Sequence, residues 1–356
     1  MDKGPLHIAV ILCFAVAFAI SIGFTPVSMQ IARRVGLIDT PKDGRRMHKQ
    51  PIPCFGGLAI FAGFMLAVLI CENTALWQFF SPFDIPGSQA KLHSAMIGGA
   101  LMFVIGVVDD RFNLRAIVKL IGQVACAAVA YFLGVHIPDF TIFGWHFGPD
   151  SALSFIITIV WIVAITNMIN LVDGLDGLAS GVAGIAALAI GYSAYIAGLY
   201  TVAFSMTVLA GASFGFLPFN FYPAKSFMGD SGAMYLGFML ATLSIVGPAK
   251  GAAVMAVIAP VIVLGVPVFD MAFAMFRRTR RGQPIFLPDK EHLHHQLTRI
   301  GIGQRRSVLM LYGISGIMGI AAIVLSRHFY LEAIGLIIIA VVFITVLIWG
   351  WDRTKE

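Results

Sequence analysis

The chain has 356 residues, of which 59% are apolar and only 12% are charged, with a net charge of +6. Soluble domains carry about 25% charged residues, so this composition excludes a soluble globular enzyme. A disordered chain would need the opposite composition, and a nucleic-acid-binding protein would need a basic patch on a polar surface.

Apolar segments long enough to cross a bilayer follow one another along the chain. About 20 apolar residues span the hydrocarbon core as a helix. The eleven candidate segments are about 6–31, 55–72, 92–108, 117–135, 152–170, 178–196, 200–218, 232–248, 251–275, 308–326 and 330–351. The first segment exceeds the apolar region of a signal peptide, so we expect it to stay in the protein. The predicted fold is an all-α integral membrane protein, with about eleven transmembrane helices in one polytopic domain spanning 1–356.

The basic residues indicate how these helices are oriented. Of the 24 Lys and Arg residues, 20 fall in alternate connections, which the positive-inside rule predicts to be cytoplasmic. The N-terminus would then lie outside and the C-terminus inside. The predicted cytoplasmic active-site loops are about 33–54, 109–117, 171–178, 219–231 and 276–307. Because most of the carboxylates also fall on this side, we expect the chemistry on the cytoplasmic face.

The first candidate motif is the adjacent pair Asp109-Asp110, followed by Lys119. Neighbouring carboxylates at a helix end suit metal binding or proton transfer, because two close like charges raise one pKa. The alternative is a helix-end ion pair with Arg111 or Arg115.

The second motif is a series of four polar residues at intervals of three: Asn167, Asn170, Asp173 and Asp176. Glycines follow both aspartates and predict that the helix loosens there, which would return the later carboxylates to one side. A set of oxygen ligands without thiols suits Mg²⁺. Polar contacts between helices are the alternative.

The third motif places Asp230 between glycines, where a ligand can approach the backbone closely. An N-cap for the following helix is an equally good interpretation.

The fourth motif lies in the largest predicted cytoplasmic loop. His292, His294 and His295, with Arg280 nearby, indicate a surface for phosphate groups. A zinc site is disfavoured, because neither a fourth ligand nor an HExxH spacing is present.

The fifth motif is the first cytoplasmic loop, which contains Arg46 and His48. Taken alone it is an ordinary positive-inside loop that can also contact anionic headgroups.

Together, the motifs resemble those of the polyprenyl-phosphate N-acetylhexosamine-1-phosphate transferases, glycosyltransferase family 4. The resemblance runs from about 33 to 306 and rests on the Asp109-Asp110 pair with Lys119 and on RRMHKQPIPCFGG, NMINLVDGLDG, FMGDSG and PDKEHLHHQL. It implies that UDP-N-acetylglucosamine and undecaprenyl phosphate give undecaprenyl-diphospho-N-acetylglucosamine and UMP, the first membrane step of a surface polysaccharide such as teichoic acid or O-antigen. The histidine loop resembles this branch more than the phospho-N-acetylmuramoyl-pentapeptide transferases. Those enzymes and transferases of other UDP-amino sugars remain the alternatives within the family.

The resemblance also implies the setting of the enzyme. It implies Mg²⁺, which Mn²⁺ can replace, a multi-pass location in the bacterial cytoplasmic membrane, and an active site on the cytoplasmic face. It is compatible with a homodimer.

Residue roles follow from the same resemblance. Asp230 would be the main Mg²⁺ ligand, with Asn170 as the second. The groups assigned to catalysis would be Asp109, which deprotonates or orients the lipid phosphate, Asp110 beside it, Lys119, which holds a phosphate, and Asp173. The remaining groups would bind substrates: Asp176 and Asn220 the nucleotide, His292, His294, His295 and Arg280 the diphosphate and sugar, and Arg46 and His48 the lipid phosphate.

A membrane transporter is the alternative from a different class. A transporter would place ionisable groups near the middle of the membrane, whereas here they collect at segment ends. Between direct attack by the lipid phosphate and a covalent aspartyl intermediate, we favour direct attack, because the phosphate is already a competent nucleophile and the site has mainly to position and neutralise it.

Overall fold

The computed structural model describes residues 4–40, 50–80, 85–137, 140–142, 145–148, 151–246, 261–265, 279–280 and 302–353. These residues form ten α-helices: α1 (Gly4–Val35), α2 (Gly57–Glu72), α3 (Ser88–Phe112), α4 (Ala116–Phe132), α5 (Ala152–Val172), α6 (Leu178–Ile196), α7 (Tyr200–Asn220), α8 (Gly229–Ile245), α9 (Gln304–Ser326) and α10 (Tyr330–Arg353). A single 3₁₀ turn, Trp77–Phe79, follows α2.

Ten of the eleven predicted helices are therefore found, most within a few residues of the expected bounds. The ninth, 251–275, lies outside the described residues except for 261–265. Six helices (α1, α3, α5, α6, α7 and α9) are long and apolar enough to cross a membrane, and α2, α4 and the first part of α10 are shorter apolar helices. The fold is thus the all-α membrane type that the composition predicts.

Helix α8 is the centre of the bundle. Nearly every residue of α8 is buried, and the helix packs against α2, α3 and α5. Glycines permit this close approach: a Cβ on Gly57 would lie 2.4 Å from the nitrogen of Gly232, and one on Gly106 would lie 2.4 Å from the Cα of Ser231. Small residues at such crossings let helix backbones pack tightly without a hydrophobic driving force.

Helix α4 is peripheral by comparison. Of its 17 residues only Gln123, Cys126, Ala127 and Ala130 are buried. It lies against α3 and α5, and its other face is apolar and exposed. On the opposite side of the bundle, α1 packs along α7 and α2, α7 along α6, α6 along α9, and α9 along α10.

Two short antiparallel ribbons lie in the connections between the helices. Ile38–Asp39 pairs with Ile52–Pro53, and Phe140–Ile142 pairs with Trp145–Phe147. Beyond the first ribbon, Cys54 forms a parallel bridge with Phe227. The first connection is thereby tied to the segment that leads into α8.

From α1 to α8, successive helices alternate in direction, so the C-terminal ends of α3 and α5 meet the N-terminal ends of α4 and α8. We call this end of the bundle the site end. The opposite end, where α2 ends and α3 begins, is called the far end.

Candidate functional site

The ammonium group of Lys119 is the centre of the site. Its Nζ lies 2.7 Å from Asp109 Oδ2 and 2.9 Å from Asp230 Oδ1, and it donates to Asn170 Oδ1 at 3.2 Å. The side-chain amide of Asn170 in turn donates to Asp230 Oδ1. Residues of α3, α4, α5 and α8, predicted separately from three motifs, therefore meet around one cation. We call these four residues the oxygen cluster.

Asp110 makes different contacts from its neighbour Asp109. Its two carboxylate oxygens accept hydrogen bonds from the backbone N–H groups of Asp230 at 2.7 Å and Ser231 at 3.0 Å. A helix leaves its first N–H groups without internal partners and carries a partial positive charge there. Asp110 therefore caps α8 from outside and orients Asp230. Gly229, with a φ of +75°, makes room for this contact, because a Cβ there would lie 2.6 Å from Asp110 Oδ2.

Asp109 is buried and fully engaged. One oxygen accepts the backbone N–H of Leu114 at 2.9 Å, which closes the turn after α3, and the other contacts Lys119. This geometry joins the turn between α3 and α4 to the position of the lysine. Whether Asp109 also acts on a lipid phosphate stays a prediction.

Asp173 and Asp176 lie in the turn between α5 and α6. Burial, together with the negative charges of Asp230, Asp110 and Asp176, raises the pKa of Asp173 to about 8. A carboxyl group that titrates near neutral pH is suited to proton transfer. The predicted loosening of the helix is confirmed, because α5 ends at Val172 and Gly177, with a φ of +82°, precedes α6.

Asp176 and Asn220 fasten the connection between α7 and α8. Asp176 Oδ2 accepts the backbone N–H of Ala224 at 3.0 Å. Asn220 is buried, receives a hydrogen bond from Ser180 at 2.9 Å and donates to the carbonyl of Ser226 at 3.1 Å. Their assignment to the nucleotide stays a prediction, and the contacts show that both hold the connection between α7 and α8.

Six further residues were predicted to contact the substrates. His292, His294, His295, Arg46 and His48 lie outside the described residues. Arg280 is described and its side chain is exposed. The five remain predictions, and so does Arg280.

The oxygen cluster fits a divalent cation by its donor set. Three oxygens from Asp109, Asn170 and Asp230 converge on one positive charge, and the side chain of Asp230 is 37% exposed, so it is reachable from solvent. Within the described ranges, no group of three or more His, Cys, Asp and Glu side chains stands close enough to hold a metal alone. Such a site agrees with Mg²⁺, which typically takes one or two carboxylates and completes its shell with water and substrate phosphates.

Two residues that support the site were not predicted from the sequence. Gln123, one turn after Lys119 on α4, pairs with Asn167. Tyr312 on α9 donates its hydroxyl to the carbonyl of Gly177 at the start of α6. A lone glutamine inside the apolar segment 117–135 was a signal that could have been used, since polar side chains in membrane helices usually have a partner. Nothing local marks Tyr312.

Comparison with known proteins agrees with this arrangement. The model of glycosyl transferase family 4 matches residues 92–248, which contain the whole oxygen cluster. A Bacillus subtilis protein named probable undecaprenyl-phosphate N-acetylglucosaminyl 1-phosphate transferase is 34% identical over 348 residues, covering 96% of this chain and 91% of the relative. Decaprenyl-phosphate N-acetylglucosaminephosphotransferase of Mycobacterium tuberculosis is 38% identical, covering 83% and 77%.

A more distant relative extends the comparison to another group of bacteria. Undecaprenyl-phosphate alpha-N-acetylglucosaminyl 1-phosphate transferase of Yersinia pestis is 27% identical over 322 residues, covering 87% of this chain and 82% of the relative. Since similarity extends over nearly the full length of the Bacillus protein and the family model spans the site, this chain belongs to glycosyl transferase family 4, the polyprenyl-phosphate N-acetylhexosamine-1-phosphate transferases.

Proposed function

We propose that the protein transfers N-acetylglucosamine 1-phosphate from UDP-N-acetylglucosamine to undecaprenyl phosphate. An oxygen of the lipid phosphate attacks the phosphorus that carries the sugar, and the bond to the uridine-side phosphate breaks. The products are undecaprenyl-diphospho-N-acetylglucosamine and UMP. The names of the Bacillus and Yersinia relatives support this sugar and this lipid class.

The observation that carries the proposal is the oxygen cluster at the ends of four helices. Two carboxylates and an amide oxygen lie within hydrogen-bond distance of one ammonium at one end of an apolar bundle. Both substrates are anionic phosphate compounds and one is a lipid. A charged site at the end of membrane helices can meet a lipid headgroup and a soluble nucleotide at the same place.

We assign Asp230 and Asn170 to Mg²⁺, because they carry the oxygens at the exposed side of the cluster. The ion would supply neutralisation of the diphosphate and of the charge that develops as UMP leaves.

The chain's own residues set the geometry for this chemistry. Asp110 fixes the direction of Asp230 through the N-terminus of α8. Asp109 holds Lys119 next to the same point, where the ammonium can pair with a phosphate oxygen. Asp173, whose pKa is raised to about 8, can hold or release a proton near neutral pH. Positioning and neutralisation are the principal needs of phosphoryl transfer, and they are what this cluster offers.

We further propose that the site end faces the cytoplasm, in the cytoplasmic membrane of a bacterium. The basic side chains support this orientation, since Arg33 and Arg34 close α1 at the site end and Arg305 and Arg306 open α9 there. A cysteine placed at Ile85, beside the far end, should react with an impermeant thiol reagent added to intact cells. A cysteine placed at Arg306 should stay protected, and the reverse pattern would overturn the orientation.

The test of the proposed activity is UMP release by the purified protein in micelles with undecaprenyl phosphate. UDP-N-acetylglucosamine and UDP-N-acetylmuramoyl-pentapeptide are compared side by side. We expect release from the first substrate only, loss of release with EDTA, and recovery with Mg²⁺. Release from the pentapeptide substrate alone would move the protein to the other branch of the family. Recovery with Zn²⁺ alone would contradict the assignment of Mg²⁺.

A further inference from the structure

A reciprocal pair of amides lies one helical turn below the oxygen cluster. Gln123 Nε2 donates to Asn167 Oδ1 at 3.2 Å, and Asn167 Nδ2 donates to Gln123 Oε1 at 2.7 Å. Asn167 also donates to the carbonyl of Val163 at 2.9 Å within its own helix. Gln123 is completely buried and Asn167 is half-buried, and the pair joins α4 to α5.

The amide pair joins the same two helices, through the same faces, as the Lys119–Asn170 contact does. Gln123 follows Lys119 by four residues on α4, and Asn170 follows Asn167 by three on α5. Residues at these spacings lie one above the other on a helix surface. The Lys119–Asn170 contact and the amide pair therefore form two successive layers of one interface, the upper one in the site.

Apart from the Lys119 contacts, the described residues of α4 offer few buried side chains to fix the helix at this end. Apart from Gln123, its buried residues are Cys126, Ala127 and Ala130, which are small and lie nearer the far end. Small apolar side chains define the rotation and height of a helix poorly, whereas a two-hydrogen-bond amide pair defines both. An unpaired amide in the hydrocarbon region is costly, which favours the arrangement in which both partners are satisfied.

We propose that Gln123 is a positioning residue for the transfer reaction, acting through Asn167. The pair sets the height and rotation of α4 against α5, so that the Lys119 ammonium and the side-chain amide nitrogen of Asn170 both reach Asp230. Gln123 itself touches neither substrate. The inference rests on the proposed function for its catalytic consequence, while the geometric coupling to Lys119 stands independently of it.

The competing explanation is that the pair only holds two helices together. A structural contact of this kind would lower stability without a selective effect on turnover. The chain offers a matched control for it, because Ser94 on α3 donates to the carbonyl of Leu133, at the far end of α4, at 2.8 Å. Ser94→Ala thus removes a tether of the same helix away from the site.

The kinetic experiment measures UMP release by three variants. They are Gln123→Leu, a double variant that combines Asn167→Gln with Gln123→Asn, and Ser94→Ala. We expect Gln123→Leu to lower kcat about 10–100-fold, the range for groups that support a metal ligand, with a smaller change in KM for the nucleotide sugar. The double variant exchanges the two side chains and keeps their summed length, so it should recover most of kcat. Ser94→Ala should keep kcat within about twofold. Equal losses in Gln123→Leu and Ser94→Ala, or no recovery in the exchange variant, would overturn the proposal.

A second measurement tests the coupling without any substrate. Melting temperatures are compared for Gln123→Leu, Lys119→Met and the variant that carries both. If Gln123 places Lys119, part of its effect disappears once the ammonium is gone, and the two losses fall short of additivity. The losses of melting temperature caused by Ser94→Ala and by Lys119→Met should be additive. Additive losses for Gln123 and Lys119 would overturn the positioning role even if the protein turned out to act on another substrate. Absence of UMP release with non-additive losses would instead remove the proposed function alone.

Discussion

The two ends of the helical bundle both contain buried polar groups, but they are organised differently. At the far end, contacts join helices two at a time: His93 lies 2.9 Å from Glu72, and Ser88 and Thr201 are 2.9 Å apart. At the site end, the single ammonium of Lys119 contacts groups on three other helices. Polar groups at the far end therefore link pairs of helices, whereas those at the site end surround one ammonium group.

The charge balance of the two ends also differs. Among the residues that the structure describes, Glu72 at the far end has one partner that can be cationic, His93, and a hydrogen bond from Gln89 at 3.3 Å. At the site end, Asp109 and Asp230 share one lysine while the Asp110 carboxylate lies against the backbone of Asp230, so negative charge is in excess. Burying carboxylates without equal positive charge is unfavourable. This difference agrees with the proposal that a divalent cation binds at the site end, and the following substitutions test it.

The largest expected effect belongs to Asp230→Asn. This change keeps the shape of the side chain and removes its charge, and we expect turnover to fall at least about 100-fold, as when a group that stabilises transition-state charge is lost. UMP release measures the effect, and the melting temperature shows that the variant is folded. The matched control is Glu72→Gln, which removes a buried carboxylate at the far end and should leave turnover within about twofold. Similar losses of turnover in the two variants would show that the two ends do not differ in their importance for the reaction.

The second-largest effect is expected for Lys119→Met. It leaves Asp109 and Asp230 without their shared cation, so the melting temperature should fall in the absence of metal and turnover should drop about 10–100-fold. Because a divalent cation can replace the missing positive charge, added Mg²⁺ should raise the melting temperature more in the variant than in the unmodified protein. An equal shift in both proteins would argue against Asp230 as a metal ligand.

Gly229→Ala and Gly87→Ala form a pair with similar backbone strain at opposite ends. Both glycines have positive φ, +75° and +85°, so each alanine should cost about 1–3 kcal/mol of stability. Only at Gly229 would the new Cβ meet Asp110 Oδ2, at 2.6 Å, whereas nothing lies within 4 Å at Gly87. Activity at equal folded fraction should therefore fall in Gly229→Ala and persist in Gly87→Ala. Equal activity of the two variants would show that the Asp110 cap is not needed to orient Asp230.

The smallest expected effect concerns pH. The pKa of Asp173 is raised to about 8 from an ordinary value of 3.8, so the folded state binds this proton more tightly than the unfolded state does. Stability from this group is therefore present below about pH 4 and declines as the pH rises towards 8. Asp173→Asn cannot lose the proton, so without divalent cations its melting temperature should decline less between pH 5 and 8. A decline as steep as that of the unmodified protein would mean that other groups cause it.

Much of this architecture was predictable because it depends on local composition. Continuous apolar segments predicted ten helices that the structure contains, since chain segments of that length and polarity have one stable form in a bilayer. The Asp109-Asp110 pair, Asn170 and Asp230 were recognised because ionisable groups and amides at the ends of apolar segments are unusual. The turn after α5 was predicted from its glycines.

Other properties required the tertiary structure, because they depend on which helix ends meet. Asp109 and Asp110 are adjacent in sequence, yet one pairs with Lys119 and the other caps α8, since successive residues on a helix point in different directions. The pairing of Gln123 with Asn167 depends on the rotation of α4 against α5, which no local pattern records. The sequence by itself determined the membrane fold, the family and the identity of the charged groups. The packing of α3, α4 and α5 around α8 decided which of those groups share one cation, because interhelical distances arise from contacts between segments far apart in the chain.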